Sequence, residues 1–208
     1  PRASPLYPSA ASEVYKRPGP TGPQGPAGPV NRISDEQIAT LAWYEDPGAT
    51  ATIDVGNDPN GVAYDGTNIY VTNSTSNNVS VIDPATNTVT DTITVGTEPN
   101  SVVFTPDGTT AYASNQGAED VSVIDTGTKA IKQVGGVPVP NIAVGDKPGG
   151  MAVSPDGTTL YVTNGGDDTV SVIDTATNAT KQVGGVAVPP IAVGPQPFGV
   201  AISPDGTK

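Results

Sequence analysis

Met151-Ala-Val-Ser-Pro-Asp-Gly-Thr-Thr-Leu-Tyr-Val-Thr-Asn164, followed by Val170-Ser-Val-Ile-Asp174, decides how the rest of the 208 residues read. Three short apolar-rich runs, each bounded by turn residues, predict three consecutive β-strands. Pro155-Asp156-Gly157-Thr158 joins the first two, proline presetting φ and glycine supplying the positive φ of a tight reversal. Gly165-Gly166-Asp167-Asp168 joins the second pair. The three runs therefore form a meander.

The same pattern recurs, which is the main support for reading it this way. Upstream stand Val102-Val-Phe-Thr-Pro-Asp-Gly-Thr-Thr-Ala-Tyr-Ala-Ser-Asn115 with Val121-Ser-Val-Ile-Asp125, and Val62-Ala-Tyr-Asp-Gly-Thr-Asn-Ile-Tyr-Val-Thr-Asn73 with Val79-Ser-Val-Ile-Asp83. A fourth copy begins at Val200 and stops at Lys208, inside an expected hairpin. Aligned on the Val-Gly pairs at Val55, Val95, Val144 and Val193, the copies are spaced by 40, 49 and 49 residues. Units of about 40 to 50 residues with four strands each are propeller blades. The predicted class is all-β: a partial β-propeller of four-stranded antiparallel blades, about three and a half of them.

Tyr161-Val-Thr-Asn164, with Tyr70-Val-Thr-Asn73 and Tyr112-Ala-Ser-Asn115, resembles the YVTN-type β-propeller repeat of bacterial YncE-like and archaeal surface-layer proteins. The neighbouring Ser-Pro-Asp-Gly-Thr, Val-Ser-Val-Ile-Asp and Thr175-Ala-Thr-Asn178 segments match as well. The resemblance covers residues 49–208 and implies the fold. It leaves activity open, because propellers host unrelated functions.

Composition narrows the chemistry. The chain has no cysteine and no histidine, which removes disulfides, the usual zinc sets and Cys/His or Ser/His nucleophiles. Nine basic residues oppose twenty-one acidic ones; four basic and one acidic lie in residues 1–32, leaving five against twenty in the body. Such a body does not suit a phosphate backbone, and its acidity reads first as solubility, with calcium or a cationic partner as the alternative. No apolar run is long enough to span a membrane. The chain begins at proline rather than methionine, which suggests a processed chain or a fragment.

Residues 1–18 lack periodicity and read as a disordered leader. Residues 19–30 hold four Gly-X-Y triplets, similar to bacterial collagen-like stalks; a polyproline II spacer is the plainer reading. Residues 31–48 form a linker whose Ser34-Asp-Glu-Gln-Ile-Ala-Thr-Leu-Ala-Trp43 predicts a short capped helix, with Trp43 and Tyr44 packing on the first blade. Residues 49–56 read as the outer strand of an incomplete blade, 57–96, 97–145 and 146–194 as blades, and 195–208 as a truncated one. The second and third blades carry Lys132-Gln-Val-Gly-Gly-Val-Pro-Val-Pro140 and Lys181-Gln-Val-Gly-Gly-Val-Ala-Val-Pro189, expected as a bulge or a hairpin extending the outer strand.

With strands a to d running outward, the b–c and d–a loops share one end of each blade. The a–b turns barely vary between copies, whereas these loops do, so they form the expected binding face. Its candidates are Asn57, Asp58, Asn73, Asn77, Asn78, Glu98, Asn115, Glu119, Asp120, Asp146, Lys147, Asn164, Asp167 and Asp168. The asparagines also suit turn geometry, and Asp83, Asp125 and Asp174 read as carboxylates capping the following turn. Asp167 and Asp168 alone are a weak calcium signal. The expected function is a non-enzymatic, extracytoplasmic scaffold or binding module for a protein or glycan, without cofactor or nucleic acid, able to self-associate to complete a ring. The alternative is a lactonase-like or quinoprotein-dehydrogenase-like enzyme.

Overall fold

A computed structural model of the chain describes residues 52–206. The expected leader, the Gly-X-Y triplets, the short helix with Trp43 and Tyr44, and the start of the first outer strand lie outside the described residues.

Three blades follow one another. The first is β1 (Pro59–Tyr64), β2 (Ile69–Asn73), β3 (Asn78–Asp83) and β4 (Thr88–Thr94), paired in that order. The second begins with β5 (Pro99–Phe104), β6 (Thr110–Asn115) and β7 (Asp120–Asp125); the third with β12 (Pro148–Val153), β13 (Thr159–Asn164) and β14 (Thr169–Asp174). All these pairs are antiparallel. The described chain is thus an all-β partial propeller. Each inner strand has a register shift just after its proline, at Pro59, Pro99 and Pro148, a residue that cannot donate to a ladder.

The inserted segments are hairpins. In the second blade the outer strand is split into β8 (Ala130–Ile131) and β11 (Ile142–Ala143), both paired with β7. Between them β9 (Gln133–Val134) and β10 (Val137–Pro138) form a separate ribbon turned by Gly135 and Gly136, at φ 62° and 80°. Two successive positive φ values suit a two-residue hairpin loop, and glycine reaches them without strain. The third blade repeats this with β15 (Ala179–Thr180), β16 (Gln182–Val183), β17 (Val186–Ala187) and β18 (Ile191–Ala192).

The core lies between blades. Tyr70, Val79, Val81 and Ile93 of the first pack on Val102, Phe104, Ala111, Ala113 and Ile124 of the second. Tyr112, Val121, Val123 and Ile142 pack in the same way on Met151, Leu160, Val162 and Ile173 of the third. The Val-Ser-Val-Ile strands achieve this by the two-residue period of a strand: both valines face the next blade and the isoleucine faces the previous one. The Tyr70 and Phe104 rings meet edge to face with centroids 5.0 Å apart.

A hydroxyl ties each blade to the next. Thr72 Oγ1 donates to the Asn100 carbonyl (3.0 Å), Ser114 Oγ to the Gly149 carbonyl (2.8 Å) and Thr163 Oγ1 to the Phe198 carbonyl (3.2 Å). These are the third residues of the three Tyr-x-Thr/Ser-Asn motifs, and the accepting positions are equivalent in successive copies. The close approach needs small residues beside it: a Cβ on Gly61 would lie 2.5 Å from the Asn100 carbonyl oxygen, and one on Gly150 would lie 2.6 Å from that of Phe198.

Both incomplete blades depart from expectation. Residues 52–55 form no strand, although Ile53 and Val55 pack on Ile69, Val71 and Ile82. Residues 197–203 form none either, although the Gly150 N–H donates to the Phe198 carbonyl (2.9 Å). Among the described residues neither segment has a ladder partner, and burial and single hydrogen bonds position them without sheet pairing.

Candidate binding face

The b–c and d–a loops lie together, as expected, and interlock through their backbones. Ser74 N–H donates to the Asp58 carbonyl (2.8 Å), Gln116 N–H to that of Glu98 (2.9 Å) and Gly165 N–H to that of Lys147 (3.0 Å). On the other side Val95, Val144 and Val193 N–H groups bond the carbonyls of Asn77, Glu119 and Asp168. Asp58, Asn77, Glu98, Glu119, Lys147 and Asp168 all hold φ between 52° and 57°. For residues other than glycine the left-handed region costs about 1–2 kcal/mol, less for Asn and Asp, and the interlocked loops hold them there.

Side chains add cross-links. Asn57 N–H donates to Ser76 Oγ (2.7 Å) and Asp146 N–H to Asp167 Oδ2 (2.8 Å). Glu98 N–H donates to Asn77 Oδ1 (2.9 Å) and Gln196 N–H to Asp168 Oδ1 (2.8 Å). Both carboxylates of the Asp167-Asp168 pair therefore accept from backbone. Among the described residues no group of three or more potential ligands is gathered for a metal ion.

The structure separates the fourteen candidates. Asn57, Asp58, Glu98, Glu119, Lys147, Asp167 and Asp168 are exposed, and Asn77, Asn78, Asp120 and Asp146 are half-buried. Asn73, Asn115 and Asn164 are fully buried, so they are not surface contacts. Their amide groups donate inward: Asn73 Nδ2 to Asn78 Oδ1 and Ser80 Oγ, Asn115 Nδ2 to Asp120 Oδ1 and Ser122 Oγ, Asn164 Nδ2 to Thr169 Oγ1 and Ser171 Oγ. Gly56, Gly96 and Gly145 close over them; a Cβ on any of the three would lie 2.8 Å or less from the asparagine side chain.

A cleft of about 480 Å³ opens on this face between the second blade, the third and the segment after it. Asn100 and Gln116 form one wall, Asp146, Lys147 and Asp168 another, and Pro195, Gln196, Pro197 and Phe198 the third, over Gly149, Gly165 and Gly166. Phe198 is 76% exposed. Asp146, Lys147 and Asp168 were expected from sequence; the rest were not. A signal for Phe198 was present: it occupies the position that holds Asn60, Asn100 and Gly149 in the other copies.

Carboxylates held below their usual range lie elsewhere, most of them in the a–b and c–d turns of the opposite face. Thr128 N–H holds the Asp125 carboxyl below its usual range, and Thr177 N–H does the same for Asp174. For Asp107 the hydroxyl of Thr105 is the main cause, supported by Thr109 N–H. Asp83 accepts the Ala85 N–H. These aspartates cap turns, as their sequence positions predict.

Fifty-one residues are 63% identical to PE-PGRS family protein PE_PGRS18 of Mycobacterium tuberculosis, covering 24% of this chain and 11% of that protein. Among solved structures, Kuenenia stuttgartiensis hydrazine synthase superposes with TM-score 0.63 at 29% identity, over 79% of this chain and 44% of that one. A functionally unknown protein from Desulfotomaculum acetoxidans matches with TM-score 0.50 at 23% identity, over 71% and 48%, a likeness of fold alone. The chain spans less than half the length of each. A family model described as a lactonase, seven-bladed β-propeller, matches residues 92–207, more than half of the sequence, and the chain belongs to that family.

Proposed function

We propose that the chain is a non-enzymatic binding module of YVTN type, part of a secreted or cell-surface protein, which holds a protein or glycan on its b–c and d–a face. The observation that carries this reading is the chemistry of the cleft. Asn100, Gln116 and Gln196 supply carboxamides, which donate and accept hydrogen bonds but do not transfer protons. The carboxylate of Asp168 is engaged by the Gln196 N–H, and no histidine exists to complete an acid–base pair.

Family membership favours a second reading, hydrolysis of a lactone, with Asp146 or Asp168 as base and Lys147 polarising the carbonyl. The two separate by experiment: the 208-residue chain is incubated with γ- and δ-lactones, and with peptide and oligosaccharide libraries. The binding reading expects retention of a library member without lactone turnover. Turnover that disappears in Asp146→Asn or Lys147→Met replaces it with the enzymatic one. The extracytoplasmic placement is checked by fractionating producing cells, where recovery in the cytosol alone counts against it.

A further inference from the structure

Independently of what the b–c and d–a face holds, we infer that the two valine ribbons on the outer strands of the second and third blades are a docking surface for a second copy of this chain. β9 and β10 set Val134 opposite Val137, and β16 and β17 set Val183 opposite Val186. Residues directly opposite in an antiparallel pair share a face, so each ribbon turns two neighbouring valines the same way. All four are between 66% and 69% exposed. The first ribbon keeps this exposure although its blade is packed between two others, so the exposure belongs to the ribbon and not to the blade's place in the series.

The build of the ribbon decides how it can be covered. An added strand finds little to pair with, because each arm has two residues and Pro138 offers no N–H. Insertion into lipid would carry the Gly135-Gly136 and Gly184-Gly185 backbone in ahead of the valines and strip water from its polar groups. Packing ribbon face on ribbon face covers the valines and leaves the glycine tips in water.

Charge narrows the partner. Residues 126–144 and 175–204 hold no acidic residue in a chain that has twenty-one, whereas β4, the outer strand of the blade without a ribbon, carries Asp91. Lys132 and Lys181, at the ribbon bases, turn back onto their own blades, where Nζ donates to Thr110 Oγ1 (2.7 Å) and Thr159 Oγ1 (2.6 Å). Two copies of net charge −12 can therefore meet at the ribbons without opposing carboxylates or ammonium groups. The repetition also satisfies two-fold symmetry: the first ribbon of one copy lies on the second ribbon of the other, and the reverse. Four valines are a small patch beside the roughly 800 Å² per partner of a standard interface, so the dimer is a weak one, formed at high concentration.

The test is sedimentation equilibrium of the 208-residue chain over a concentration series, beside a variant carrying Val134→Ser, Val137→Ser, Val183→Ser and Val186→Ser. The parent is expected to dimerise, and the quadruple variant to do so about tenfold more weakly or less, at an unchanged melting temperature because the valines are exposed. The chain has no cysteine, so Val134→Cys and Val183→Cys report the contact directly. Mixed and mildly oxidised, these two are expected to link faster than either alone, while Asp58→Cys on the b–c and d–a face stays unlinked. Association that the quadruple variant retains in full, as head-to-tail contact through the blade ends would be, overturns the inference. So does a parent that stays monomeric throughout, or Asp58→Cys linking as fast as the mixed pair. Flotation of the parent with phosphatidylcholine vesicles, lost in the quadruple variant and without self-association, makes the occupant a lipid surface and overturns it as well.

Discussion

Asn115 lies at zero exposure at the end of β6, donating to Asp120 Oδ1 at 2.6 Å and to Ser122 Oγ at 2.9 Å. Asn73 and Asn164 repeat this place, with a neutral Asn78 and a Thr169 hydroxyl where Asn115 meets a carboxylate. The difference makes Asn→Asp substitution informative. Asn115→Asp sets a buried carboxylate against the half-buried one of Asp120 and is expected to cost about 3–5 kcal/mol at neutral pH. Asn164→Asp, facing a hydroxyl that can turn to donate, costs about 1–3 kcal/mol, and Asn73→Asp falls between. Urea unfolding of the three variants gives the order, and Asn115→Asp regains the most stability on mild acidification, as a proton is shared. The turn carboxylates define a second dependence. Asp107, Asp125 and Asp174 have folded values below the unfolded 3.8, so their contribution is complete above that pH and is lost as pH falls through the lower folded values. Melting temperature should therefore be insensitive to these groups at neutral pH and fall below 3.8, and an Asp125→Asn variant should show a shallower acid decline.

At the scale of the element, the split outer strands show how a blade accepts seven of its nine additional residues, the other two lying in the a–b turn. The base of the second-blade hairpin is closed by Val139 N–H to the Lys132 carbonyl at 2.7 Å, and that of the third by Val188 N–H to the Lys181 carbonyl at 2.7 Å. The chain thus leaves and returns at one point. The ribbons themselves carry exposed Val134, Val137, Val183 and Val186 and lie off the blade sheets. Excising Gln133–Pro138, so that Lys132 is followed by Val139 through a short Asn-Gly turn, should change stability by less than about 1 kcal/mol. Equilibrium denaturation checks this; a loss several times larger would mean that the ribbon supports the core.

At the scale of the whole molecule, blades are stabilised mainly by each other, and among the described residues the first and last blades show faces of the kind that is covered between blades. Val62, Ile191, Val193 and Phe198 are exposed large apolar residues at those two ends. The ends are complementary by repetition: the face that the second blade offers the third is offered again by the third, and the face it presents to the first is presented again by the first. A polypeptide of these 208 residues is therefore expected to associate head to tail. Association should rise with concentration and with salt, which screens the repulsion of a −12 charge. Light scattering with dye binding measures it, and a monodisperse monomer that binds no dye would count against it.

The strands of the three blades and their order were readable in the chain because they follow from local chemistry. Two-residue periodicity, Pro-Asp-Gly turns and the return of Tyr-x-Thr/Ser-Asn at 42 and 49 residues need no knowledge of distant neighbours. The same period puts both valines of each Val-Ser-Val-Ile strand on one face and the isoleucine on the other, whereas the blade each faces came from the packing. The candidate face was legible only in outline. Asn73, Asn115 and Asn164 are polar residues at strand ends and look like surface groups, yet the glycines of the d–a loops and the serines of the next strand enclose them. Phe198 looks like a core residue and is exposed, and Asn100 and Gln116 join it from a different blade. Local periodicity thus determined the blade. Which polar groups were buried, and which residues came to share a cleft, depended on packing between segments far apart in the chain.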